Sequence, residues 1–233
     1  MKLKTVLLAA ALIAAPAFAQ AEGVTTSVKA GVSTDYIWRG QSQSNNQASA
    51  FAGVDIGTDL VYLGAWAGQV KFDTADLETD LYAGVKPAIG PVTFDLGALA
   101  YMYPQDTDLN MYEGKLGATY NFTNGITAGL AAYYTPHVGK DGPKNTYTEL
   151  TVGVPFKNKI GPFDVAMNTS VGYNDPEEGD TYYNAKVAFA GVTEAGWGVE
   201  IGATTTDIDK TNLSVHQAKF SANKGYLTLS KAF

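Results

Sequence analysis

The chain has 233 residues, 16 Lys+Arg against 23 Asp+Glu for a net charge of -7, 45% hydrophobic residues, 25 Gly and no Cys. That length gives one domain, or at most two small ones, and the acid excess with a single Arg excludes a nucleic-acid backbone as partner, because phosphate neutralisation needs a basic face. The absence of Cys excludes a disulfide framework, thiolate catalysis, iron–sulfur clusters and Cys-type zinc sites.

The chain opens with a targeting segment. Lys2 and Lys4 supply a positive start, Val6 to Ala15 is apolar, and small-residue cleavage sites follow at Ala17-Phe18-Ala19 and Ala19-Gln20-Ala21. This pattern is a secretory signal peptide spanning residues 1–19, with cleavage after 19 or 21, ahead of a mature domain over residues 22–233. Losing Lys2 and Lys4 leaves 14 basic residues against 23 acidic ones, a net -9. No later segment offers eighteen consecutive apolar residues, so membrane crossing by a helix is excluded.

From Glu22 onward the apolar pattern has period two rather than 3.6, in segments rich in Val, Thr, Tyr, Phe, Ala and Gly, which predicts an all-β chain. Short turn signals fall at Gly57-Thr58-Asp59, Ala88-Ile89-Gly90-Pro91, Thr123-Asn124-Gly125, Lys157-Asn158-Lys159 and Thr193-Glu194-Ala195. Asn124-Gly125 is the strongest, since that pair supplies positive φ to a tight hairpin. Between them lie longer polar stretches: Gln41 to Asn46, Lys71 to Asp76, Gln105 to Asn110, His137 to Asn145, Asn174 to Asp180 and Asp207 to Lys224. Five short turns alternating with six longer loops predict twelve strands with both termini on the short-turn side, the layout of an up-and-down transmembrane antiparallel β-barrel.

The placement of rings separates a membrane barrel from a soluble one. On the apolar parity the middle positions are modest in size: Ala50, Ala52, Leu81, Ala83, Leu96, Ala98, Leu116, Leu130, Val152, Val187 and Ile201. On that same face Tyr36, Trp38, Tyr112, Tyr134, Tyr173 and Tyr183 fall near the long loops. Phe94, Phe122, Phe156, Phe163, Phe189, Trp197 and Phe233 fall near the short turns. A soluble sandwich centres its bulk in the core, whereas two aromatic girdles around an apolar band match the interfacial preference of these rings in lipid. The third strand, Leu60 to Val70, has no clear parity.

The opposite parity carries Lys29, Asp35, Arg39, Asp55, Glu78, Asp80, Lys86, Asp95, Glu113, Lys115, Glu149, Asp164, Lys186 and Glu200, which are the pore-lining candidates. Nine acids against five bases give a net negative interior and a weak preference for cations; pairing among these charges across the lumen is the plainer role. Arg39 and Asp35 share a face of the first strand at about 13 Å, too far for a direct pair, so Arg39 needs an acid on a neighbouring strand or across the lumen.

The stretch Ser33-Thr34-Asp35-Tyr36-Ile37-Trp38-Arg39-Gly40-Gln41-Ser42-Gln43-Ser44 resembles the opening of the TorF-type porins. So do Asp80-Leu81-Tyr82-Ala83-Gly84, Phe94-Asp95-Leu96-Gly97, Tyr101-Met102-Tyr103-Pro104 and the ending Leu227-Thr228-Leu229-Ser230-Lys231-Ala232-Phe233. The resemblance covers the mature chain and implies a porin-like protein of a proteobacterial outer membrane, exported through the inner membrane.

Leu227, Leu229 and Phe233 make an amphipathic last strand, read as an assembly signal for the barrel-assembly machinery. Lys231 stands where an apolar residue is usual, and its stem allows the ammonium to snorkel. His137 and His216 both fall in loops without a carboxylate on a shared strand face, and no G-x-S-x-G or H-E-x-x-H is present, so no enzyme is expected. Asp175, Glu177, Glu178 and Asp180 lack an EF-hand spacing, so neither a metal nor another cofactor is expected. The sequence therefore predicts an outer-membrane channel for passive diffusion of small hydrophilic solutes, with membrane lipid and lipopolysaccharide around it. The alternative is a closed barrel with a structural or adhesive role, and conductance separates the two.

Overall fold

The computed structural model describes residues 23–72, 74–208, 221 and 223–233. The segment expected to be a signal peptide and His216 lie outside the described residues, as does most of the loop from Asp207 to Lys224. The strands are β1 (Thr25–Ser33), β2 (Ile37–Trp38), β3 (Gln41–Ser42), β4 (Ser49–Gly57), β5 (Val61–Phe72), β6 (Ala75–Val85), β7 (Ala88–Ile89), β8 (Val92–Met102), β9 (Met111–Asn121), β10 (Thr127–Thr135), β11 (Asn145–Pro155), β12 (Phe163–Pro176), β13 (Tyr182–Thr193), β14 (Trp197–Thr206) and β15 (Lys224–Ala232). Twelve of them pair in antiparallel order around a closed barrel, and β15 returns to β1 with Lys29 opposite Ala232 and Ser33 opposite Thr228. Closure leaves no sheet edge, which a strand-built span in lipid requires, because an unpaired N–H or C=O there costs several kcal/mol. The remaining short strands are the two-residue pair β7, which extends the turn before β8, and the β2–β3 hairpin, which stands apart from the barrel sheet.

The outward face is apolar. Leu96, Leu116, Leu130, Leu150 and Ile201 are each between 46% and 59% exposed, which in water would be an aggregation hazard and in lipid is the contact surface. The rings follow the expected edges. Tyr112, Tyr134 and Tyr183 stand outward near the long loops, with the Tyr173 and Tyr183 ring centroids 4.8 Å apart, and Phe122, Phe156, Phe189, Trp197 and Phe233 stand outward near the short turns. Lys231 lies between Trp197 and Phe233, its ammonium 5.7 and 5.4 Å from their ring centroids and bonded to the carbonyl of Ala195. The stem therefore follows the apolar face while the charge reaches the turn.

Two expectations are corrected, and the facing of the third strand, which the pattern left open, is assigned. Tyr36 and Trp38 are not in the outer girdle: β1 stops at Ser33, and the chain turns into the barrel interior, where Tyr36 packs on Trp66 at 5.2 Å and Trp38 on Tyr101 at 5.9 Å. The polar stretch Lys71 to Asp76 is not a long loop, because β5 runs to Phe72 and β6 begins at Ala75. The third barrel strand faces lipid through Val61 and Leu63, and puts Tyr62 and Trp66 inside. Its parity is hard to read because its large rings lie on the lumen side while Ala65 and Ala67 face out.

An Asp placed at Leu96 or Leu130 should lower the folded, membrane-inserted fraction by about 1 to 3 kcal/mol per site. Heat-modifiable gel mobility after refolding into vesicles measures this; normal insertion of both variants would reverse the facing of β8 and β10.

Candidate functional site

The site is built by the segment that leaves β1. Asp35 is buried and anchors this segment to itself, accepting from the Ser42 hydroxyl at 2.5 Å and the Ser44 hydroxyl at 2.9 Å. Ser44 Oγ also accepts from the Tyr36 N–H, and Ser42 Oγ from the Asn46 N–H. These bonds hold two reversals. Arg39 and Gly40 have φ of 47° and 81° between β2 and β3, and Asn45 and Asn46 have φ of 56° and 55° beyond it, both pairs in the left-handed region that tight hairpin turns use. Gly40 is required twice over, since a Cβ there would also meet Asn184 Cβ at 2.7 Å, so the hairpin tip touches the wall at β13.

The hairpin crosses the lumen. From β1 its arginine reaches β9, five strands round the barrel, where the guanidinium donates two parallel bonds of 2.8 Å to the Glu113 carboxylate. Side-chain exposure is 5% for Arg39 and 0% for Glu113. Trp38 and Tyr147 lie on the guanidinium at 4.2 Å each, and Tyr133 at 5.2 Å. Tyr101 and Thr135 donate to the remaining lone pairs of Glu113 at 2.9 and 2.8 Å. A buried pair of charges is worth having only when every lone pair and N–H is satisfied, and this one is arranged that way.

A second fastening lies beside it. Glu78 accepts from Tyr36 at 2.7 Å and Tyr103 at 2.6 Å. Burial first and then the neighbouring Glu78 carboxylate push both phenols well above the ordinary tyrosine range, so both remain donors. On the far side Tyr182 donates to the Arg39 carbonyl at 3.3 Å and accepts from the Gln41 amide at 3.1 Å. Lys224 bonds to Asn46 and lies 4.0 Å from Asp35.

Below the hairpin are two chambers. One, of about 540 Å³, is lined by Lys29, Asp35, Arg39, Glu149, Lys186 and Glu200 together with aromatic residues. The other, of about 550 Å³, is lined by Asp55, Lys86, Asp95 and Lys115. There Lys115 pairs with Asp95 at 2.7 Å, Tyr62 donates to Asp95 at 2.8 Å, Tyr82 donates to Asp55 at 2.6 Å, and the Lys86 ammonium lies 4.3 Å from the Tyr62 ring. Of the pore-lining candidates, then, Glu78 and Glu113 hold the hairpin, and Asp80 lies on their strand face with one buried oxygen, Oδ1, unpartnered among the described residues. Asp164 is at the short-turn rim, paired with Lys159 at 3.2 Å. Sequence reasoning missed Lys224 and the inward tyrosines 62, 82, 101, 133, 147 and 226. For Tyr82, Tyr101, Tyr147 and Tyr226 the signal was parity, since each alternates in step with a charge on its own strand (Asp80, Asp95, Glu149 and Lys224), whereas the strands of Tyr62 and Tyr133 carry no lumen charge to mark the face.

The family model that matches, over residues 17–233, is described as "Bacterial protein of unknown function (Gcw_chp)", and the chain belongs to that family. No curated protein matches the sequence. Among solved structures the chain is similar to the KdgM porin, at a TM-score of 0.59 and 8% identity over 89% of this chain and 98% of that one. That porin is also solved "in complex with disordered oligogalacturonate". The NanC porin follows at a TM-score of 0.55 and 8% identity over 90% and 99%. LpxR from Salmonella typhimurium is similar at 0.51 and 10% identity over 89% and 99%. At these identities the likeness is one of fold alone: a closed antiparallel β-barrel, which in KdgM and NanC is that of a porin.

If the Arg39–Glu113 pair fixes the hairpin, Glu113→Ala leaves a buried guanidinium uncompensated, a loss of about 3 kcal/mol. An Arg-specific protease has only Arg39 to cut, so the variant should be cleaved there on the order of 100-fold faster than the parent protein. Equal cleavage rates would show that the pair does not hold the segment in place.

Proposed function

We propose that this member of a bacterial family of unknown function is a porin-like outer-membrane channel through which small hydrophilic solutes diffuse passively, with the β2–β3 hairpin as its constriction. The observation that carries the reading is a barrel apolar outside and charged inside, with hydrated-size chambers on the short-turn side of the hairpin. The resemblance of Asp35 to Gly40 to the TorF-type porins agrees with it, as does the shared fold of a porin solved with an oligosaccharide. Membrane lipid and lipopolysaccharide would surround the apolar band, and the signal peptide over residues 1–19 would route the chain to export.

The lumen residues set a weak cation preference. Arg39 and Lys115 each neutralise one carboxylate and Asp164 pairs with Lys159 at the rim, which leaves six of the nine acids against Lys29, Lys86 and Lys186, with Lys224 beside Asp35. Carboxylates lining a bore lower the barrier to cations relative to anions. One observation favours the other reading, a closed barrel without transport: the segment that carries the hairpin bonds to well-separated strands, with Tyr36 on Glu78 of β6, Arg39 on Glu113 of β9 and Gln41 on Tyr182 of β13.

Planar-bilayer recording tests the proposal. The parent protein should give discrete conductance steps and a reversal potential displaced toward cations in a salt gradient. Arg39→Ala should raise the step on the order of twofold, because the narrowest section loses a guanidinium and its hold on Glu113. Absence of conductance in both proteins would establish the closed barrel. The last strand makes a separate expectation: deletion of Phe233 should reduce the inserted fraction in cells by removing the terminal ring offered to the assembly machinery, and unchanged insertion would refute that role.

A further inference from the structure

The chamber lined by Arg39, Glu149 and Lys186 carries charge of both signs, and not all of it is used. Arg39 is committed to Glu113, Asp35 to Ser42 and Ser44, and Glu200 to the Tyr226 hydroxyl at 2.6 Å. Lys186 has no carboxylate within ion-pair distance among the described residues, and Glu149 has only a long contact of 3.4 Å from Tyr147. Between them lies Ser170, 5% exposed, on the chamber lining, with its hydroxyl unpartnered among the described residues.

Register makes these three a row. Ser170 on β12 stands directly opposite Lys186 on β13, and on its other side opposite Thr151 on β11. Glu149 is the next lumen-facing position along β11 from Thr151. Strands are spaced by about 4.8 Å and Glu149 stands opposite Gly172, one lumen position along from Ser170, so Lys186 and Glu149 leave the wall about 12 Å apart on a diagonal, on flexible stems, with the Ser170 hydroxyl between. A buried hydroxyl without a partner costs free energy, and two opposite charges held apart cannot satisfy each other.

We propose that this row binds a small zwitterionic solute of the amino-acid type, its carboxylate on Lys186 Nζ and Ser170 Oγ and its ammonium on Glu149. A plain anion would meet the Glu149 carboxylate without compensation. A plain cation would meet Lys186, and Lys29 on the same lining. A neutral polyol would leave both charges unpaired. Only a solute carrying both signs satisfies the row at once.

This rests on the reading that solutes enter the lumen, so binding is best measured apart from transport. Trp38 and Trp66 line the chamber, and Trp197 is on the outer face, which makes intrinsic fluorescence in detergent micelles a direct reporter. Titration with L-serine should give a saturable change, with lactate, ethanolamine and glycerol each about tenfold weaker or worse. Lys186→Met and Glu149→Gln should each weaken serine about tenfold while retaining heat-modifiable mobility. Ser170→Ala, which removes only a hydroxyl, should weaken it by a smaller factor and keeps the test informative if a charge variant fails to fold. No saturable response to serine would overturn the proposal, as would lactate binding as tightly as serine or a Glu149→Gln variant that binds serine like the parent. Serine binding in micelles by a protein that conducts nothing in a bilayer would refute the channel and leave the site standing.

Discussion

Lipid around the middle of a twelve-strand barrel forces the charged side chains at that depth inward, where each must be hydrated or paired. The Arg39–Glu113 pair is the strictest expression of that constraint, and the rest of the interior is arranged around it. It requires an arginine because two parallel N–H donors must meet one carboxylate while aromatic faces cover the guanidinium, which a lysine cannot do. It requires the chain to reverse at a residue with positive φ, and Gly40 next to the wall. It also explains why Tyr36 and Trp38 are inside: a hairpin that delivers Arg39 across the lumen carries its neighbours with it.

Tyrosine does much of the remaining work in the lumen. A carboxylate facing another strand's carboxylate is repelled, whereas a phenol supplies a donor without adding charge, and Glu78, Asp55, Asp95, Glu113 and Glu200 each receive at least one such bond. The rings need room against the wall. At Gly172 the Tyr147 hydroxyl occupies the space where a Cβ would stand, so glycine on β12 lets a ring on β11 lie flat and keeps the chamber open. Acids can therefore outnumber bases inside without each having its own cation.

Most of the barrel was legible from alternation alone, because period-two patterning with rings at both edges arises only where one face meets lipid and the other water. Strand number, closure and the outward set around Leu96, Leu130 and Ile201 followed from it. What alternation could not show was where a strand stops. Continuing β1 through Arg39 keeps the parity intact, so nothing in the pattern distinguishes a longer strand from a chain turning inward; the signals that do are Arg39-Gly40 and Asn45-Asn46 as turn pairs, read against the serines that Asp35 collects. The partner of Arg39 was beyond reach for a different reason. Glu113 and Glu78 look alike in sequence, and only the closed geometry of the barrel decides which one faces the hairpin tip.

The central claim is that this hairpin lies inside the barrel and crosses it. The chain has no cysteine, so a pair introduced at Gln41→Cys and Tyr182→Cys, whose native side chains are 3.1 Å apart, tests it without background. A short bis-thiol reagent applied to the folded protein should link the two positions and change its mobility on a denaturing gel. If each single cysteine reacts with the reagent but the pair does not link, the hairpin does not cross the lumen and the account is wrong.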